Sequence, residues 1–380
     1  MTNWRQWMYR MMGVAVLLGA AVVRAAPGVD SEQVRIAMVN AQSGPAAELG
    51  RAMHAGAQAY FARINAAGGV HGRQLNLLLR DDGYEPARTA RLTEELLAGA
   101  DILALFGYVG TPTSRAALPA ALAAEVPYLF PLSGAKVLRE PLHRMVFNVR
   151  AAYFAETQLL VRQMTEVLGL SRIALVMQDD SFGATVQAGL AAALQQRGSS
   201  LAGEVRIRRN ALDMSDAARQ LRDMRPQAIF FIGTHRQLAA AIAEARALGI
   251  GADFFSVSFV DSAALIAEAG AAAEGTYIAQ VVPSPEDLSL PLVREYRAAM
   301  RGPFSHASLE GYIGAAVLVE ALQRAGPQPT RDKLVEVLES LDIDLGGFAV
   351  RFGPGDHQGS DMVWLTRIEQ GRALPVVRQP

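Results

Sequence analysis

The sequence predicts an α/β protein built as two doubly wound lobes with a cleft between them. Three observations carry this. Short apolar or β-branched runs alternate with helical stretches of about 10–20 residues, the pattern of βαβ units on a parallel sheet. The same strand–helix order restarts at Ser171. The first helix of each half also carries Gly, four residues, then Ala-Gly, as Gly50…Ala55-Gly56 and Gly183…Ala188-Gly189. Two such lobes facing each other place a small-molecule site at their interface.

In chain order, Val34–Val39 fits a buried strand, and Gln42-Ser43-Gly44-Pro45 is turn chemistry. Ala47–Ala67 reads as a helix with Met53, Ala57, Tyr60, Phe61 and Ile64 on its apolar face, stopped by Gly68-Gly69. Leu75–Leu79 is a strand followed by Asp81-Asp82, which more naturally order a turn than bind a metal. Pro86–Ala98 is helical and Ile102–Phe106 is a strand. Thr111-Pro112 then reads as a helix start, with the threonine hydroxyl as N-cap and proline at the first helical position. An alanine-rich helix leads to strand Tyr128–Phe130. The helix start at the carboxyl end of a buried strand is where open α/β sheets bind ligands, and it favours anionic groups.

The second half gives strand Ile173–Val176, helix Ser215–Met224, strand Ala228–Ile232, helix Arg236–Leu248 and strand Phe254–Val257. Beyond Pro283-Ser284-Pro285 the pattern changes. Helices Leu292–Met300, Ser308–Arg324 and Thr330–Ser340, the last capped by Thr330, precede strands Phe348–Phe352 and Val363–Ile368. This tail is too small for a lobe of its own and is expected to complete both others.

Composition narrows the function. With 380 residues and 51% apolar content the core is ample. A net charge of −1 and a pI near 6.6 argue against a nucleic-acid partner. There is no cysteine, hence no disulfide, thiolate metal site, cysteine nucleophile or lipidated N-terminal cysteine. The six histidines, His54, His71, His143, His235, His306 and His357, lack paired ligand spacing, so neither metal nor cofactor is expected. Arg5 and Arg10, the apolar run Met11–Val23 and the small residues around Val23-Arg24-Ala25 read as a cleavable signal peptide, residues 1–25. The apolar run is too short for a comfortable membrane span. The mature protein is expected to be exported, soluble and not lipidated.

The order and spacing of several segments resemble the type I periplasmic binding proteins, specifically the leucine/isoleucine/valine-binding branch of ABC-transporter substrate receptors. The carriers are Ile36–Val39 with Ser43-Gly44-Pro45, Ile64-Asn65-Ala66-Ala67-Gly68-Gly69-Val70-His71-Gly72, and Asp81-Asp82. Gly107…Gly110-Thr111-Pro112-Thr113, Asp180-Ser181-Phe182-Gly183 and Ser308-Leu309-Glu310-Gly311-Tyr312 continue it, over about Val34 to Ile368. The resemblance implies two Rossmann-like lobes joined by three crossovers, with the ligand trapped by hinge closure. The lobes would be 31–149 with 282–350, and 150–281 with 351–380.

It also implies site residues. The ligand carboxylate would be held by Thr111 and by Ser133-Gly134. The second-lobe acid that holds a ligand ammonium in the amino-acid binders falls on Ser258, and an aromatic position falls near Thr234. Asp179, Asp180 or Glu310 could substitute for that acid, or the ligand could lack an ammonium. Ser43, Tyr153 and Phe259 complete the candidate ligand-binding set, and Arg150 is placed near the hinge. Trp364 is expected in the core.

The function that follows is a periplasmic, non-enzymatic, monomeric receptor for a small amino-acid-like or carboxylate solute, docking on a membrane permease. Two alternatives are an exported ligand-sensing receptor of the same fold, and an acyl hydrolase using the Ser-x-x-Lys pair Ser133 and Lys136.

Overall fold

The computed structural model describes residues 27–376, so the expected signal peptide lies outside the described residues. The first half of the chain alternates as the apolar runs predict. It forms β1 (Gln33–Asn40), α1 (Ala47–Ala66), β2 (Gln74–Asp81), α2 (Pro86–Gly99), β3 (Ala104–Phe106), α3 (Thr111–Ala123), β4 (Tyr128–Leu129) and β5 (Val146–Phe147). A single 3-10 turn, Lys136–Leu138, precedes β5. The five strands make one parallel sheet in the order β2-β1-β3-β4-β5. Ile36, Ala37, Met38 and Val39 are completely buried, as expected for a strand covered by helices on both faces.

The chain then leaves this sheet. It forms α4 (Tyr153–Arg162), β6 (Ile173–Gln178), α5 (Ser181–Gln195), β7 (Leu201–Ile207), α6 (Ser215–Met224) and β8 (Ala228–Ile232). There follow α7 (His235–Ala247), β9 (Asp253–Ser256), α8 (Ser262–Ala269) and β10 (Tyr277–Gln280). The last part supplies α9 (Pro291–Ala299), α10 (His306–Ala325), α11 (Arg331–Glu339), β11 (Asp342–Asp344), β12 (Ala349–Arg351), β13 (Trp364–Glu369) and β14 (Arg372–Pro375). The second sheet runs β7-β6-β8-β9-β10-β13-β14, parallel as far as β10 and antiparallel beyond. Its first five strands repeat the order of the first sheet, which makes the two lobes structural repeats. Strands β7, β10, β11 and β14 and helices α4 and α8 are absent from the sequence reading. β7 is only half-buried and carries Glu204 and Arg206, so it lacks the apolar run of a central strand.

The chain passes between the lobes three times: from β5 to α4, from β10 to α9, and from β12 to β13. The first and third passages lie side by side. The Asn148 amide donates to the His357 carbonyl (2.9 Å), and the Gly359 amide donates to the Asn148 carbonyl (2.7 Å). Arg139 fastens both, donating to the Gln358 side chain (2.6 Å) and to the Arg150 carbonyl (2.9 Å).

Helix α10 is apolar nearly all round and buried along most of its length, against α1. Small residues set how close the two come. A Cβ on Gly56 would lie 1.8 Å from the Ser308 carbonyl oxygen, and one on Gly311 would lie 2.1 Å from the Met53 carbonyl oxygen. These backbones touch where no side chain fits. Gly311→Ala is therefore expected to destabilise the protein by about 1–3 kcal/mol, the usual range for overpacking. Urea unfolding would measure it, with exposed Gly302→Ala, whose Cβ meets only the Met300 methyl at 3.9 Å, as control. An unchanged midpoint for Gly311→Ala would rule out so close a crossing.

Candidate functional site

The site begins where β3 ends. Gly110 precedes α3 with φ 97°, a left-handed region that favours glycine. It is the N-cap of α3, with Thr111 and Pro112 as the first two helical residues, so the expected threonine cap is corrected by one position. The reason is a stronger local partner: Thr111 Oγ1 lies 2.8 Å from Ser133 Oγ, and both residues are buried. The Thr113 hydroxyl turns back to the Gly110 carbonyl (3.0 Å). No side chain caps the helix, whose first amides have no intrahelical acceptor and carry the positive end of its dipole.

Tyr84, from the turn after β2, lies over this helix start. A Cβ on Gly110 would meet Tyr84 Cε2 at 2.5 Å and its hydroxyl at 3.3 Å. An arc of rings then crosses to the second lobe. Tyr84 stacks on Phe259 (centroids 5.8 Å), Phe259 meets Phe182 at a tilt (4.7 Å), and Phe182 meets Tyr153 likewise (5.5 Å). The Tyr153 ring packs against Gly134, where a Cβ would sit 2.8 Å from Cγ and Cδ1. The Arg209 guanidinium lies 4.2 Å from the Tyr84 ring centroid, donates to the Tyr84 carbonyl and pairs with Asp180 at 2.7 Å. Burial pushes the Tyr84 phenol well up and that of Tyr153 up to about 12, so both stay protonated donors.

Behind the arc lies a buried ionic cluster. Arg150, just after β5, is 1% exposed. Its Nη2 donates to Ser258 Oγ and lies 3.7 Å from Glu156 of α4, and its Nε lies 3.6 Å from Glu310 of α10. Glu156 accepts from the Ser258 amide (2.7 Å) and hydroxyl (2.9 Å). Burial raises the Glu156 and Glu310 carboxyls above the usual range, against the pull of Arg150. The cluster joins the first lobe (Glu310), a crossover (Arg150) and the second lobe (Glu156, Ser258).

On the site's side chains, five buried polar atoms have no hydrogen-bond partner among the described residues: the hydroxyls of Tyr84 and Tyr153, Nε and Nη1 of Arg150, and Nε of Arg209. Thr111 and Gly134 form the wall in front of them. That wall lines a cleft of about 650 Å³, shared with Arg115, Lys136 and Arg139 of the first lobe and Ser181 of the second.

The structure thus brings together Thr111, Ser133, Gly134, Tyr153, Ser258 and Phe259. The other two candidates have local roles. Ser43 is exposed and its hydroxyl donates to Asp81 (2.6 Å). Thr234 caps α7, its hydroxyl accepting from the Gln237 amide (3.4 Å) in a capping box. Asp179 pairs with Arg206 on the surface, and Asp180 caps α5, so neither carboxylate is free. Ser133 and Lys136 do not pair: the lysine ammonium meets Glu140 at 2.9 Å. Trp364 is half-buried and stacks on Phe348 (centroids 6.3 Å). Sequence reasoning missed Tyr84, Phe182, Glu156 and Arg209. The Asp81-Asp82-Gly83-Tyr84 turn at a strand's carboxyl end was the available signal for Tyr84. Among the described residues no acidic or histidine cluster could hold a metal, and no helix is long and apolar enough to cross a membrane.

Comparison with known proteins agrees with this geometry. A family model described as periplasmic binding protein matches residues 33–373. A crystal structure of a possible leucine/isoleucine/valine-binding protein from Rhodopirellula baltica SH 1 is 34% identical. It superposes with a TM-score of 0.86 over 93% of this chain and 98% of that one. A substrate-binding periplasmic protein from Ralstonia solanacearum is 29% identical, with a TM-score of 0.85 over 90% of this chain and 99% of that one. The leucine-, isoleucine-, valine-, threonine- and alanine-binding protein of Pseudomonas aeruginosa is 20% identical over 311 residues, 82% of this chain and 83% of the relative.

The turn that presents Tyr84 is held by Asp82, which accepts from the Tyr84 amide (2.8 Å) and the Thr89 hydroxyl (2.9 Å). Burial pushes the Asp82 carboxyl up to about 6 from its ordinary 3.8. A group raised on folding contributes stability below its unfolded pKa and loses it as pH rises through the folded one. Asp82→Asn is therefore expected to gain stability relative to the parent between about pH 4 and 6, by at most roughly 3 kcal/mol. Parallel pH-dependent unfolding curves would show no such divergence if Asp82 were an ordinary surface acid.

Proposed function

The chain belongs to the type I periplasmic binding proteins, in their leucine/isoleucine/valine-binding family, and on that premise we propose that it is the periplasmic solute-binding component of an ABC importer. It captures a small amino-acid-like or carboxylate solute between its lobes by hinge closure and delivers it to a membrane permease, without catalysing a reaction. The observation that carries this is the set of buried, unpartnered polar atoms of Tyr84, Tyr153 and Arg150, gathered where the two lobes meet behind Thr111 and Gly134. Buried polar groups are normally satisfied, and at a lobe interface a bound solute would satisfy these.

In this reading, Thr111, Ser133 and the first amides of α3 take the carboxylate of the solute on the first lobe. Closure then brings in Tyr153, Phe259 and Phe182 from the second lobe. Each lobe presents its site at the strand-order reversal, between β1 and β3 and between β6 and β8, where doubly wound sheets bind ligands. The three adjoining crossovers are the hinge.

A thermal-shift screen tests the proposal, because a ligand that binds only the folded state raises the melting temperature. The protein, unfolded and refolded to strip bound solute, is screened with amino acids, aromatic acids, dicarboxylates and amides. Solutes released from the protein as purified are identified by mass spectrometry. At least one solute is expected to stabilise, and Thr111→Val is expected to weaken a confirmed carboxylate ligand about tenfold. If no solute stabilises and none is released, the receptor reading fails. Unchanged affinity in Thr111→Val removes Thr111 from the site.

A further inference from the structure

The polar groups buried where the lobes meet are unequal in kind. Of the carboxylates, Glu156 accepts from Ser258 through both oxygens and Asp180 caps α5 and pairs with Arg209, while Glu310 faces only Arg150, at 3.6 Å. The unpartnered atoms of the site include three that can only donate, Nε and Nη1 of Arg150 and Nε of Arg209, and the hydroxyls of Tyr84 and Tyr153, which donate or accept. Glu156 and Glu310, at 3.7 and 3.6 Å, balance the Arg150 charge but stand too far away to accept its hydrogen bonds. The start of α3 adds further amide donors.

Two more observations point the same way. Both tyrosine rings already have a guanidinium beside them, Arg209 at 4.2 Å from Tyr84 and Arg150 at 5.9 Å from Tyr153, so a ligand cation would meet like charge there. The cleft beyond Thr111 and Gly134 is lined by Arg115, Arg139 and the Lys136–Glu140 ion pair, which leaves its wall net positive. That field draws anions in.

Resting on the solute-capture reading above, we propose that the captured solute is an organic carboxylate without an ammonium group, and that α-amino acids are excluded. A 2-oxo, 2-hydroxy or unsubstituted acid with an apolar body fits: its oxygens take the donors, and its body lies along Tyr84, Phe259, Phe182 and Tyr153. An ammonium in the same place would have to displace Arg150 from a glutamate or remain unpaired, and a buried unpaired charge is strongly unfavourable. The Ser258 hydroxyl is itself taken up by Glu156 and Arg150.

The test compares matched pairs by isothermal titration on the stripped, refolded protein. Leucine is set against 4-methylpentanoate and 4-methyl-2-oxopentanoate, and phenylalanine against 3-phenylpropanoate and phenylpyruvate. At least one acid is expected to bind roughly a hundredfold more tightly than its amino partner. Tyr84→Phe and Tyr153→Phe are each expected to weaken that acid about tenfold while leaving the ligand-free melting temperature in place. Glu310→Gln is expected to retain the acid and to give the amino acid no advantage. An amino acid that binds as tightly as its acid, with binding lost in Glu310→Gln, overturns the proposal and leaves solute capture standing. Failure of all four acids to bind overturns it as well, and the broader screen then judges solute capture separately.

Discussion

A guanidinium buried at the junction of two lobes constrains everything around it. Arg150 is shielded from water, and a buried cation is tolerated only when carboxylates and acceptors surround it. Here the carboxylates come from different parts of the chain: Glu156 from the helix that opens the second lobe, and Glu310 from a helix that packs on the first. The charge balance is complete only when both lobes hold their places about the crossover. Such a cluster contributes little net stability compared with an apolar core, and breaking one partner is costly. Its geometry ties the positions of both lobes to one crossover residue.

The fold was legible because its central strands are short apolar runs with no competing reading. Ile173–Val176 and Ala228–Ile232 are buried throughout, and the repeat of strand and helix order marks the second lobe. Strands at the sheet margins were not legible. β7 mixes charged and apolar residues because it is half-covered, and β14 lies at the far edge of its sheet. Caps were less reliable than cores. Thr111 has the residue type of an N-cap, yet its hydroxyl finds Ser133, 22 residues later in the chain, and no local pattern encodes that distance.

The site was half legible for the same reason. Thr111, Ser133 and Phe259 sit at the carboxyl ends of strands, where doubly wound topology alone directs attention. Tyr84, Phe182 and Arg209 matter through contacts that cross between lobes, and these appear only when the two halves are set face to face. Ser258 shows the limit of matching residue types. Its side chain lacks a charge, and the charges that surround it arrive from Arg150 and Glu156, over a hundred residues away.

The interleaving of the two lobes bears on how the chain acquires its structure. The first sheet is complete by Phe147, but the helix that covers α1 lies between His306 and Ala325. The second sheet waits for β13 and β14, the final strands described. Neither half can bury its core until most of the polypeptide has been made. The order of synthesis therefore leaves both cores incomplete until the last part of the chain is present.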